Sequence, residues 1–129
     1  MGVCVGQVRA AISKRAREKT PTVVFDRGHL VRYTMESPEL ERGIVGLVVA
    51  QLPSILDRLF TAQSSEDWRF ATHTLKGSAQ AIGAYKIEEI AKKLEPIKCF
   101  EHTVKRQKLL AGLALATREF DDMAKLLYP

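Results

Sequence analysis

From Ser37 to Leu127, apolar residues recur three and four positions apart, and this helical period constrains the fold more than any other feature of the chain. No run in that stretch alternates apolar and polar residues as a half-buried strand would. Four helices can be read from it. Ser37-Pro38-Glu39 is a start signal: a hydroxyl to cap free N–H groups, a proline at the first helical position and an acid facing the helix dipole. This helix should run to about Ala62. Leu40, Ile44, Leu47, Ile55 and Leu59 lie at helical spacing on it, and Val45, Val48, Val49, Leu52 and Leu56 widen the apolar face. Pro53 should kink it without ending it. Ser64-Ser65-Glu66-Asp67 opens a second helix that should reach Ile82, with Gly83 as its stop. A third begins at about Lys86, carries Ile87, Ile90, Ala91 and Leu94, and ends or bends at Pro96. The fourth spans about Thr103 to Leu127, with Leu110, Leu113, Thr117, Phe120, Ala124 and Leu127 in a near-heptad stripe. Connections of a few residues favour antiparallel neighbours. The expected fold is all-α: an antiparallel four-helix bundle with a short additional N-terminal helix over Gly28–Thr34.

At 129 residues the chain suits one domain, large enough to bury a core without a disulfide or metal staple. The formal net charge is +5, but Arg9, Lys14, Arg15, Arg17 and Lys19 stand against Glu18 alone, so most of the excess lies in the first 20 residues. Residues 1–25 therefore read as a basic, poorly packed extension and 26–129 as the bundle. Within the extension, residues 8–19 could form a short amphipathic helix on Val8, Ala11 and Ile12, and Thr22–Phe25 reads as an extended connector. No aromatic residue is interleaved with the basic ones, so nucleic acid is not expected as a partner. Ile44–Ala50 is the longest apolar run, short of a membrane span and interrupted by Gly46. The first residues lack the basic and hydrophobic regions of a signal peptide. Cys4 and Cys99 form neither a metal pair nor a disulfide framework. These features point to a reduced, cytoplasmic protein with no membrane partner, expected as a monomer.

The segment Trp68–Ala84, WRFATHTLKGSAQAIGA, carries the chemistry. At about 100° per residue, Trp68, Ala71, Leu75, Ala79 and Ile82 form one core stripe, and His73 falls roughly 160° from its centre, facing solvent. Lys76 and Gly77 follow at the spacings that put side chains beside His73. Arg69 and Gln80 flank the same patch, and Phe70 lies on its edge. A neutral imidazole is a competent nucleophile near neutral pH. Its attack on phosphorus gives a phosphoramidate whose negative charge Lys76 could meet. Glycine costs a helix roughly 1 kcal/mol relative to alanine, and Gly77 would allow another molecule close to the backbone beside His73. His29 and His102 lack such neighbours. Trp68, Phe60 and Phe120 read as core. No H-x-x-x-H or C-x-x-C pair suggests a metal site. The apolar excess at Val45, Val48, Val49 and Leu52 needs a cover: residues 28–34, a partner or a second copy.

His73-Thr74-Leu75-Lys76-Gly77-Ser78-Ala79, followed by Gly83-Ala84, resembles the signature of histidine-containing phosphotransfer (Hpt) domains. Leu94-Glu95 on the next helix resembles a pairing common in that family, and the resemblance covers about residues 26–128. It implies a helical bundle that displays a phospho-accepting histidine and relays phosphoryl groups between aspartates of receiver domains. His73 would be the acceptor, Lys76 would assist the phosphoryl group and Gly77 would give the receiver clearance. Arg69, Phe70 and Gln80 belong to the docking face by helix geometry. The expected partners are receiver domains of response regulators and hybrid histidine kinases. The chain is expected to be a phosphocarrier and not an enzyme, since no G-x-x-x-x-G-K-[ST] loop or ATP-binding domain accompanies the bundle. No cofactor is expected, and any Mg²⁺ should sit on the receiver. The alternative is a scaffold bundle that docks a receiver without carrying phosphate.

Overall fold

Capping residues in the sequence mark the start of nearly every helix. The computed structural model describes residues 23–98 and 101–129. Among the described residues there are five helices and no strand: α1 (Arg27–Tyr33), α2 (Pro38–Phe60), α3 (Ser65–Ile82), α4 (Tyr85–Leu94) and α5 (Val104–Leu127). The side chains of Asp26, Ser37, Ser64 and Thr103 accept hydrogen bonds from the backbone N–H groups of His29, Leu40, Asp67 and Arg106, capping α1, α2, α3 and α5. The helix read at residues 8–19, and both cysteines, lie outside the described residues.

α2 continues through Pro53, which is exposed, and ends two residues before the expected Ala62. α3 stops at Gly83, whose left-handed backbone (φ 86°) ends the helix. Glycine is required there twice over, because a Cβ would lie 2.7 Å from the Asp26 carbonyl oxygen. At that point the incoming chain crosses the α3–α4 turn: the Asp26 N–H donates to Gly83 O at 2.8 Å, and the Lys86 N–H to Val23 O at 2.9 Å. The described part of the expected connector, Val23–Phe25, is neither helix nor strand. Phe25, the last residue assigned to the extension, is buried and meets Phe120 edge-to-face at 5.5 Å.

The helices form a bundle in which α2 packs on α3, α3 on α4, α4 on α5 and α5 back on α2, while α1 lies against α2 and α3. Leu52, Leu59, Trp68, Leu75, Ile87, Leu94, Leu113 and Phe120 are among the residues that fill the centre. The apolar excess of α2 divides. Val45 and Leu52 are buried and Val48 and Val49 pack against the core, whereas Leu40 and Leu47 point outward. Phe60, expected in the core, is exposed, because Leu59 takes the inward position at that turn. By length and composition α2 would suffice to cross a membrane, a property not visible in the short Ile44–Ala50 run; in this fold its inner face packs on α3 and α5. At one end, Arg106 is buried with its guanidinium 4.6 Å from the centroid of the Trp68 ring and Nη1 2.9 Å from His102 Nδ1.

Candidate functional site

His73 stands on the outer face of α3 with its side chain 72% exposed. The opposite face explains its placement. Trp68, Ala71, Leu75, Ala79 and Ile82 are all buried, as the spacing predicts. Turning α3 to bury His73 would expose Trp68, Leu75 and Ile82, and each buried apolar side chain of that size contributes on the order of 1.5–3 kcal/mol. No interaction of one imidazole competes with that sum.

Lys76 lies one turn from His73, toward α4. Its Nζ donates to Glu95 Oε1 at 2.9 Å, and Glu95 Oε2 lies 3.6 Å from His73 Nδ1. The second distance exceeds a direct hydrogen bond, so the carboxylate acts on the ring mainly through its charge. The Lys76 hydrogen bond, with smaller help from His73 and against some burial, holds the Glu95 carboxyl below the usual carboxylate range. Glu95 is therefore an anion near neutral pH, set between the two residues.

The position of Glu95 follows from how α4 ends. Trp68 Nε1 donates to Leu94 O at 3.1 Å, tying the last turn of α4 to the first turns of α3. Pro96 has no N–H and does not continue the helix. Glu95 was legible only as part of the Leu94-Glu95 pair and not as a neighbour of His73. The missing information was the register of α4 against α3.

The other expected residues surround this group. Gly77 is exposed, and a Cβ built on it would meet nothing within 4 Å. Among the described residues no neighbouring helix needs that glycine. Arg69 and Gln80 are exposed on the flanks. Phe70 is 52% exposed and lies under Arg58 of α2, whose guanidinium carbon is 4.2 Å from the ring centroid. Arg58 was not singled out in the sequence. His29 packs between the rings of Tyr33 and Tyr85, and His102 faces Arg106; neither joins the His73 group. Among the described residues no group of three His, Cys, Asp or Glu side chains could hold a metal ion.

The model of the Hpt domain family matches residues 43–127, a span that contains His73, Lys76 and Glu95. The chain belongs to the Hpt domain family. Hpt domains are phosphocarrier modules of two-component signalling that interact with receiver domains, and they are not kinases. No curated protein and no solved structure matches the chain. The all-helical bundle agrees with an Hpt domain.

Proposed function

We propose that this Hpt domain is a cytoplasmic phosphorelay intermediate, which accepts a phosphoryl group on His73 from a receiver phospho-aspartate and passes it to an aspartate of another receiver. The carrying observation is the exposed His73 ring with the Glu95 carboxylate 3.6 Å from Nδ1. A carboxylate on that side favours the tautomer with the proton on Nδ1. The lone pair then lies on Nε2, on the far side of the ring. Nε2 attacks phosphorus, an N–P bond forms, and the P–O bond to the aspartyl carboxyl breaks to release a carboxylate. Return transfer reverses these steps on a second aspartate.

Charge decides what the neighbours do. The Glu95 anion steadies the imidazole as positive charge develops on it during attack. The Lys76 ammonium has three N–H donors, so it can keep Glu95 and still offer a donor to an incoming phosphoryl oxygen. Gly77 leaves the backbone beside His73 open to the receiver. Mg²⁺ would belong to the receiver. Short connections between helices support an antiparallel four-helix arrangement of α2–α5, which presents this face on a rigid support.

The test is phosphotransfer from a phosphorylated receiver domain. It should deposit acid-labile, alkali-stable phosphate on the chain, and His73→Gln should abolish it while helicity persists. Undiminished labelling of His73→Gln would remove the assignment. Tight receiver binding without any label would favour a scaffold instead.

A further inference from the structure

The geometry points to Arg58 of α2, together with Phe70 of α3, as the docking anchor that selects the receiver, with no part in the transfer chemistry. The inference rests on the phosphotransfer reading and adds the kind of surface the partner presents. Phe70 precedes His73 by three residues, so the two are neighbours on one face of α3. Phe70 leaves half of its ring exposed beside the reactive group, and aromatic side chains are enriched in protein interfaces. The ring is also not bare, because the Arg58 guanidinium covers one side at 4.2 Å.

Arg58 is exposed, and no carboxylate among the described residues pairs with it. Its charge is therefore left over, as is that of Arg69, whereas Lys76 is already matched by Glu95. Next to α4, the Lys76–Glu95 pair faces the reacting ring, with Arg69 close by. At the α2–α3 contact, the Arg58 cation lies over an aromatic ring. With its guanidinium carbon 4.2 Å over the ring and no carboxylate pairing with it among the described residues, Arg58 can offer its N–H donors to a planar acceptor. Leu47, three turns earlier on the same face of α2, adds further exposed apolar surface. Aromatic residues and arginine are both enriched at protein interfaces. The matching partner is a receiver surface with an apolar side chain to cover Phe70 and a carboxylate to meet Arg58.

A separation of binding from chemistry tests this. The phosphorylated receiver that labels the wild-type chain fastest is titrated, and KM and the maximal transfer rate are read for Arg58→Glu, Arg58→Lys and Phe70→Ala. Arg58→Glu should raise KM at least tenfold and Phe70→Ala about fivefold, with maximal rates within twofold of wild type. Arg58→Lys should fall between Arg58→Glu and wild type. Phosphoramidate, a donor with no docking surface, should label all variants at wild-type rates. Unchanged KM in Arg58→Glu and Phe70→Ala overturns the anchor, as does an equal loss of rate with the receiver and with phosphoramidate. Failure of the wild-type chain to accept phosphate from any receiver would instead defeat the phosphotransfer reading itself.

Discussion

Lys76 of α3 and Glu95, the residue that ends α4, are joined by a 2.9 Å hydrogen bond, and the same carboxylate reaches toward His73. The bond links two helices at the level of the histidine. It also means that Lys76 already has a partner when a phosphoryl group arrives. A negatively charged phosphoryl oxygen would compete with Glu95 for the ammonium, and a shared donor set settles that competition without moving either helix.

Glu95→Ala should therefore slow phosphotransfer about tenfold, which corresponds to roughly 1.4 kcal/mol of transition-state stabilisation. Glu95 is partly exposed, so the folding midpoint should change little. Lys76→Ala should slow transfer as well. The double variant should be slower than Lys76→Ala alone, because Glu95 also acts on the ring. Rapid-quench transfer from a phosphorylated receiver measures all three. A Glu95→Ala rate equal to wild type would leave Glu95 as a holder of Lys76 and nothing more.

Gly77 separates stability from function. Among the described residues nothing lies within 4 Å of a Cβ placed there, so Gly77→Ala should fit without strain and raise stability by about 1 kcal/mol through helix propensity. Gly77→Gln should also fold but place a side chain beside His73 and obstruct the receiver. The expected result is a higher urea midpoint for Gly77→Ala and a transfer rate reduced at least tenfold for Gly77→Gln. Wild-type transfer by Gly77→Gln would show that no partner comes close at that point.

The ease of reading α3 and the difficulty of reading Glu95 have the same physical origin. The limits of α3 are set by local chemistry at Ser64 and Gly83, and its outward face follows from the Trp68–Ile82 stripe, so His73 could be placed from spacing alone. The neighbourhood of Glu95 depends on how far α4 runs and how α3 and α4 are set against each other, which no local pattern encodes. The Arg58–Phe70 stack likewise joins residues twelve positions apart on different helices. Helix α2 is apolar on most of its faces, so composition could not show that Val45 and Leu52 turn inward while Leu47 turns outward. At the final turn of α2 both Leu59 and Phe60 read as core, but adjacent helix positions point about 100° apart and only Leu59 is buried.

The two ends of the described structure are held together by a polar cluster that should shape the response to pH. Buried Glu41 of α2 accepts a hydrogen bond from the Tyr128 hydroxyl and another from Arg27 Nε at 2.8 Å. The Tyr128 bond, then the Arg27 bond, hold the Glu41 carboxyl below its usual value of 4.5. Burial first, and the Glu41 bond second, push the Tyr128 phenol from 10.0 to about 12. The signs are opposite. Glu41 binds its proton less tightly in the folded chain, so its contribution is complete above about pH 4.5 and is lost as pH falls through its lower folded value. Tyr128 holds its proton more tightly when folded, so its contribution is complete below pH 10 and is lost as pH rises toward about 12. Urea midpoints should be flat near neutrality and fall on both sides. Glu41→Gln and Tyr128→Phe should each cost about 1–3 kcal/mol at neutral pH, the usual penalty for breaking a buried hydrogen bond to a charged group. Glu41→Gln should also make the acid limb shallower, and Tyr128→Phe the alkaline limb. Variants that run parallel to wild type at a constant offset across both limbs would show that the cluster does not govern the pH response.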